Sequence, residues 1–173
     1  MISLSDSYYQ LFGLPVAFDL SLPQLQEKFL ALQSAVHPDK FTDRSDAEKR
    51  LAMQWATHVN EAFSTLKDAV KRAAYWCEQQ GQPVNAEYNT AMSPAFLMQQ
   101  MEWREALAEA ENADSLNELE LEVKSCRKTT LRALAHAIDV EHNPVKASEL
   151  TRQMMFIDKF RYELDAALER FNA

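Results

Sequence analysis

Two glycines in 173 residues, Gly13 and Gly81, leave little room for the tight hairpin turns that a sheet protein needs. Runs of β-branched residues are scarce as well, so the chain is predicted to be helical almost throughout. "SLPQLQEKFLALQSAV" opens on Ser21 with Gln24 three residues on, a capping-box signature. Leu22, Leu25, Phe29, Leu32 and Val36 then recur at spacings of three and four, one apolar helix face. A second helix starts near Ser45, with Glu48 completing another box and a stripe of Leu51, Trp55, Val59, Phe63 (with Ala62) and Leu66. These two helices read as an antiparallel pair joined by a loop of about eight residues, toward the long end for such connections.

A short helix follows from Ala69 to Gln80, closed by Gly81 and Pro83. "QPVNAEYNTAM" is polar and without period, a linker. Ser93-Pro94 then opens a new helix, serine capping and proline in the first turn. Another runs from about Ser115, its stripe being Leu116, Leu119, Val123, Cys126, Thr130, Ala133, Ala137 and Val140. Asn143-Pro144 opens the last, with Leu150, Met154, Ile157, Leu164, Leu168 and Phe171 along one side. Three long helices with short connections make an antiparallel bundle.

Charge narrows the partners. The 26 acidic residues outnumber 18 Lys and Arg for a net charge of -8, most of the excess lying after Gly81. Nonspecific attraction to nucleic acid or an anionic membrane is disfavoured, and a basic partner would be drawn to the second half. Cys77 and Cys126 stand alone, neither with a second cysteine at metal-ligand spacing, so small buried apolar roles are expected and no metal or cofactor is. "MISLSDSYYQLFGLP" lacks the basic start and apolar core of a signal peptide, and no run could span a bilayer. The expectation is a soluble, cytoplasmic protein of a reducing compartment.

"AVHPDKF", Ala35 to Phe41, interrupts the first helical pair. Pro38 forbids helix continuation and Asp39 favours a turn, so the stretch can be a plain helix stop. An imidazole beside a carboxylate can also serve as a general base. The rest of an active site is missing: there is no nucleophile elbow, no glycine-rich loop and no His/Glu metal set. His58, His136 and His142 fall on helices or at a helix end, where surface and capping roles are the default. An exposed recognition loop fits better than an enzyme built on His37 and Asp39.

The frame around the tripeptide resembles the J domain of DnaJ-type co-chaperones. "HPDKF" follows an amphipathic helix, and the next helix leads into "VNEAFSTLKDAVKRAAYWCEQQG". In it Asn60, Ala62, Phe63, Leu66, Arg72, Ala73 and Tyr75 fall where that family has similar residues in its third and fourth helices. "YYQLFGLP", "HPDKF" and "AFLMQQMEWREAL" extend the likeness over nearly the whole chain to the HscB family, J-domain co-chaperones of iron–sulfur cluster assembly. Neither a glycine/phenylalanine-rich stretch nor a cysteine-rich zinc domain is present, unlike general DnaJ proteins, and the missing cysteine-motif extension favours the bacterial type. The resemblance implies an all-α chain: residues 1–81 a J domain (a helical hairpin with short flanking helices), 82–92 a linker, and 93–173 the antiparallel three-helix bundle.

It also implies a function. The J domain would bind a DnaK-class chaperone ATPase, HscA-like, and accelerate its ATP hydrolysis through His37, Pro38 and Asp39, with Lys28 and Lys40 assisting. The bundle would bind the cluster scaffold, IscU-like. The chemistry occurs in the partner, so the chain itself is not expected to be an enzyme. A J-domain adaptor serving a different client is the alternative. One departure stands out: Gln33 and Ser34 sit where J domains usually carry Lys or Arg, leaving Lys28 as the one basic residue of "QEKFLALQSAV". Docking should be weaker or less salt-sensitive than in better-charged relatives.

The helix after Ser93 carries two apolar faces. At about 100° per residue, Phe96, Trp103, Leu107 and Ala110 cluster on one side, which the bundle should bury. Leu97, Met98 and Met101 cluster almost opposite, with Glu102 and Glu105 beside them. That second cluster is either sandwiched by other helices or offered to a partner, and methionine-rich patches rimmed by acid suit a basic partner. Phe156 lies off the main stripe of the last helix and would extend the patch. By the resemblance, Leu97, Met98, Met101 and Phe156 bind the scaffold, assisted by Glu102 and Glu105.

Overall fold

The computed structural model describes residues 3–41, 43–84 and 92–172. Among them every regular element is helical: α1 (Tyr8–Leu11), α2 (Leu22–Val36), a 3-10 turn (Pro38–Phe41), α3 (Asp46–Lys67), α4 (Ala69–Gln79), α5 (Pro94–Glu109), α6 (Ala113–Asp139) and α7 (Pro144–Asn172). The chain forms two compact units, Met1–Tyr75 and Trp76–Ala173, so the division falls inside α4. Of the linker expected at 82–92, residues 85–91 lie outside the described residues. No helix is long and apolar enough to cross a membrane, among the described residues.

The first unit is the hairpin of α2 and α3 with short helices against it. Leu25 and Phe29 of α2 meet Val59, Ala62 and Leu66 of α3, and Tyr9, Leu11, Phe12, Leu14 and Leu20 close the core from the N-terminal side. Phe29 and Phe63 stack at 4.0 Å. The Ser45–Glu48 capping box forms in full; at Ser21 only the serine half does, its Oγ accepting from the Gln24 N–H. A capping box unforeseen in the sequence, Ser7 with Gln10, starts α1. Tyr8 N–H, a donor the helix leaves without a partner, bonds the Tyr75 hydroxyl at 3.0 Å while the two rings stack at 4.4 Å. At the other end of α3, buried Arg72 donates to the Leu66 carbonyl and lies over the Phe18 ring. Leu22 and Leu51, the first members of their stripes, are exposed.

Both glycines end short helices with positive φ, 58° at Gly13 and 73° at Gly81. That left-handed conformation suits a residue without a Cβ.

In the second unit α6 and α7 pack along their length, and α5 joins them. Buried Leu116, Leu119, Val123, Thr130, Leu134, Ala137 and Ile138 of α6 face Ala147, Thr151, Met154, Ile157, Phe160 and Leu164 of α7. The seam departs from the expected stripe: Val140 and Phe171 are exposed, whereas Leu134, Ile138 and Phe160 are core. A strict three-four ladder drifts around a helix of 3.6 residues per turn, so over seven turns the buried face leaves it. α6 starts at Ala113, two residues before the expected Ser115, and Asn112 caps it, its Oδ1 accepting from the Ser115 N–H at 2.9 Å. Trp76, Cys77 and Val84 belong to this core as well, and the Val84 carbonyl accepts from the buried Arg152 guanidinium at 3.1 Å.

Candidate functional site

His37 is the C-cap of α2, its extended φ of -60° and ψ of 126° turning the chain out of the helix. Pro38, Asp39 and Lys40 follow in the 3-10 turn, which the Lys40 N–H closes onto the His37 carbonyl at 3.0 Å. The Asp39 N–H donates to His37 Nδ1 at 3.3 Å, which in the neutral ring leaves the proton on Nε2. The Asp39 carboxylate is 3.6 Å from the same nitrogen, so a protonated ring would find its acceptor there. The two side chains remain 52% and 86% exposed. Lys40 Nζ donates to Ser34 Oγ at 3.3 Å, tying the turn to the last turn of α2. Lys28 is exposed farther back along α2. The turn thus holds an imidazole, a carboxylate and an ammonium at the surface, with the backbone fixed by local hydrogen bonds.

The other histidines are elsewhere. His58 packs edge-on against Tyr8 and Trp55, His136 Nδ1 lies 3.0 Å from Glu141, and His142 takes a left-handed φ of 48° at the α6–α7 turn. Among the described residues no group of three His, Cys, Asp or Glu is placed to hold a metal ion.

On the second unit, α5 buries Phe96 and Trp103 and exposes its opposite side: Leu97 is 44% exposed, Met98 63% and Met101 72%. Leu107 and Ala110, expected in the buried stripe, are only partly covered, as α5 reaches its end. The patch rests on an aromatic layer of which sequence periodicity revealed only Phe96 and Trp103. Trp103 stacks on Phe160 at 5.5 Å, and Phe156, half-buried, meets Phe96 edge-on at 5.8 Å and stacks with Phe160 at 6.2 Å. Arg104 lies 5.7 Å over the Phe156 ring and pairs with Glu163 at 2.7 Å, and its hydrogen bond pulls the Glu163 carboxyl below the ordinary range. Phe156 is therefore at the contact of α7 with α5, not out in solvent.

Glu102 and Glu105 are exposed beside the methionines. Glu102 accepts from the Gln99 amide at 3.3 Å, and the same nitrogen reaches Glu122 of α6 at 2.9 Å. Glu122 also accepts the Trp103 indole N–H at 2.8 Å. One carboxylate thus joins the buried tryptophan to the acidic rim. It was missed because it lies outside both the apolar stripe and the α5 motif, and only the pairing of α6 with α5 brings it there.

The description "HSCB C-terminal oligomerisation domain" belongs to a family model that matches residues 92–165. Co-chaperone protein HscB homologs of Burkholderia mallei and Paraburkholderia phymatum are 47% and 45% identical, over 98% and 99% of this chain and the same shares of their own. In solved structures, chaperone HscB from Vibrio cholerae superposes with a TM-score of 0.88 at 34% identity, covering 95% of this chain and 99% of that one. Human co-chaperone protein HscB gives 0.90 at 27% identity, covering 99% and 86%. An all-helical chain with His37 and Asp39 exposed at a His-Pro-Asp turn, similar over nearly its full length to such proteins, belongs to the HscB co-chaperone family.

Proposed function

We propose that this co-chaperone binds an iron–sulfur cluster scaffold, IscU-like, through the exposed face of α5, and hands it to a DnaK-class chaperone, HscA-like, in the cytoplasm. Leu97, Met98 and Met101 form the apolar centre of that face, Phe156 its border on α7, and Glu102 and Glu105 an acidic rim. Division of labour follows the chain: a J domain to residue 81, a linker over 82–92 and a scaffold-binding bundle over 93–173.

The observation that carries the reading is the exposure of the α5 stripe in a family member whose helix already buries another face. Burying such a patch is favourable by about 25 cal/mol per Å², and unbranched methionines adapt to a partner's relief. The acidic rim favours approach of a basic surface more than it adds affinity. On the other unit, His37, Pro38 and Asp39 act as the trigger. Asp39 offers a carboxylate to a partner guanidinium in charge-assisted hydrogen bonds, while Lys28 and Lys40 supply the positive charge that orients docking. ATP is hydrolysed in the chaperone, and this chain contributes contacts only.

Steady-state ATPase turnover of the chaperone tests this. Scaffold and co-chaperone are added separately and together. The expected result is stimulation by this chain alone and a more than additive rise with both. Additive or absent effects would defeat the reading.

A further inference from the structure

We propose that Met98 and Met101 are an oxidant-sensing modification site: a hydroperoxide converts their thioethers to sulfoxides, and the altered face releases the scaffold. The inference rests on the scaffold-binding reading above. It starts from where this chain keeps its sulfur. Among the described methionines only Met53, Met98 and Met101 are exposed; Met154 is fully buried, Met155 is half-buried, and the Met92 sulfur accepts from the Gln100 amide at 3.1 Å. Two of the three exposed thioethers thus sit on one helix, three residues apart, in the centre of one patch.

The thiols do not compete for the oxidant. The thiolate is the form that attacks peroxide, and burial pushes the Cys77 thiol up to about 11, leaving about one molecule in ten thousand ionised at neutral pH. Cys126 is half-buried and likewise raised by desolvation. A thioether has no such requirement. Its sulfur lone pair attacks one peroxide oxygen directly, forming the S–O bond as the O–O bond breaks. The sulfur loses two electrons, the transferred oxygen gives up its proton, and the leaving hydroxide takes it to depart as water. Exposure then sets the order of reaction.

The product differs from the reactant in the property that matters. A sulfoxide carries a strongly polar S–O group in the middle of an apolar face, and burying it under a partner without a donor is costly. Leu97 has no such chemistry. Because sulfoxide reductases restore the thioether, the change is reversible.

The test treats the full-length chain with hydrogen peroxide, removes the peroxide with catalase, and titrates an untreated IscU-type scaffold, so that the scaffold's own thiols are never exposed. Peptide masses follow each methionine. The expected outcome is oxidation of Met98 and Met101 ahead of Met92, Met154 and Met155, at least a tenfold loss of affinity, and recovery after reductase treatment. Met53→Leu should respond like wild type. Met98→Leu with Met101→Leu, compared with its own untreated sample, should show the same affinity before and after peroxide. Unchanged affinity with both residues oxidised overturns the proposal, as does a double-leucine variant that loses binding like wild type. An untreated chain that fails to bind overturns the scaffold reading instead, and the release with it, while the peptide masses still decide the site of oxidation.

Discussion

His37 can be changed with little cost to the fold, because its ring is half exposed and its local partners are the backbone and side chain of Asp39. His37→Gln should shift unfolding by no more than about 0.5 kcal/mol, yet abolish stimulation of the chaperone ATPase while scaffold affinity persists. A variant that stimulates like wild type would remove the turn from its assigned role. Cys77 is the opposite kind of residue, fully buried. With its thiol held at about 11 against an ordinary 9.0, Cys77 is protonated in both the folded and the unfolded chain well below pH 9. Between 9 and 11 the unfolded thiol ionises while the folded one does not, so stability falls as pH rises, by up to about 2–3 kcal/mol. Thermal melts from pH 8 to 11 should therefore decline more steeply for wild type than for Cys77→Ala. Parallel declines would mean that the thiol is not the group responsible.

Helix α5 separates two readings that its sequence leaves open, partner face or packed core. With Leu97, Met98 and Met101 exposed, changing all three to alanine should leave the melting temperature nearly unchanged and weaken scaffold binding at least tenfold, since central interface anchors commonly cost more than 1 kcal/mol each. Were they core, each truncation would cost about 2–5 kcal/mol and the melt would collapse. Calorimetry and titration on the same variant decide the point. The existence and faces of the long helices were legible because an amphipathic stripe is a direct image of burial. Its ends were not: Leu51 and Val140 continue the spacing but are exposed in the fold. Nor were Leu134, Ile138 and Phe160 legible as core, since the buried arc of a helix with neighbours on two sides is wider than one stripe. Glu122 depends on the meeting of α6 with α5, which local spacing does not encode.

Over the whole molecule, charge sets how partners approach. A chain at -8 whose α2 offers Lys28 alone, with Lys40 hydrogen-bonded to Ser34, has little cationic surface along that helix with which to steer a docking partner. Stimulation of the ATPase should fall by less than about twofold between 50 and 200 mM salt. Gln33→Lys should raise stimulation at low salt and steepen that dependence; an unaltered salt profile would argue that α2 does not face the chaperone. The three tryptophans are distributed to different purposes. Trp55 belongs to α3 and Trp76 to α4, whereas Trp103 is buried beneath the methionine patch with its indole N–H on the Glu122 carboxylate. Indole emission shifts with the local field and with water, so this ring is a built-in optical gauge of the exposed α5 face, the proposed scaffold site. A chain carrying Trp55→Phe and Trp76→Phe would emit from Trp103 alone, and a scaffold that presses on α5 would report its arrival as a change in colour or intensity, with no label attached to either protein.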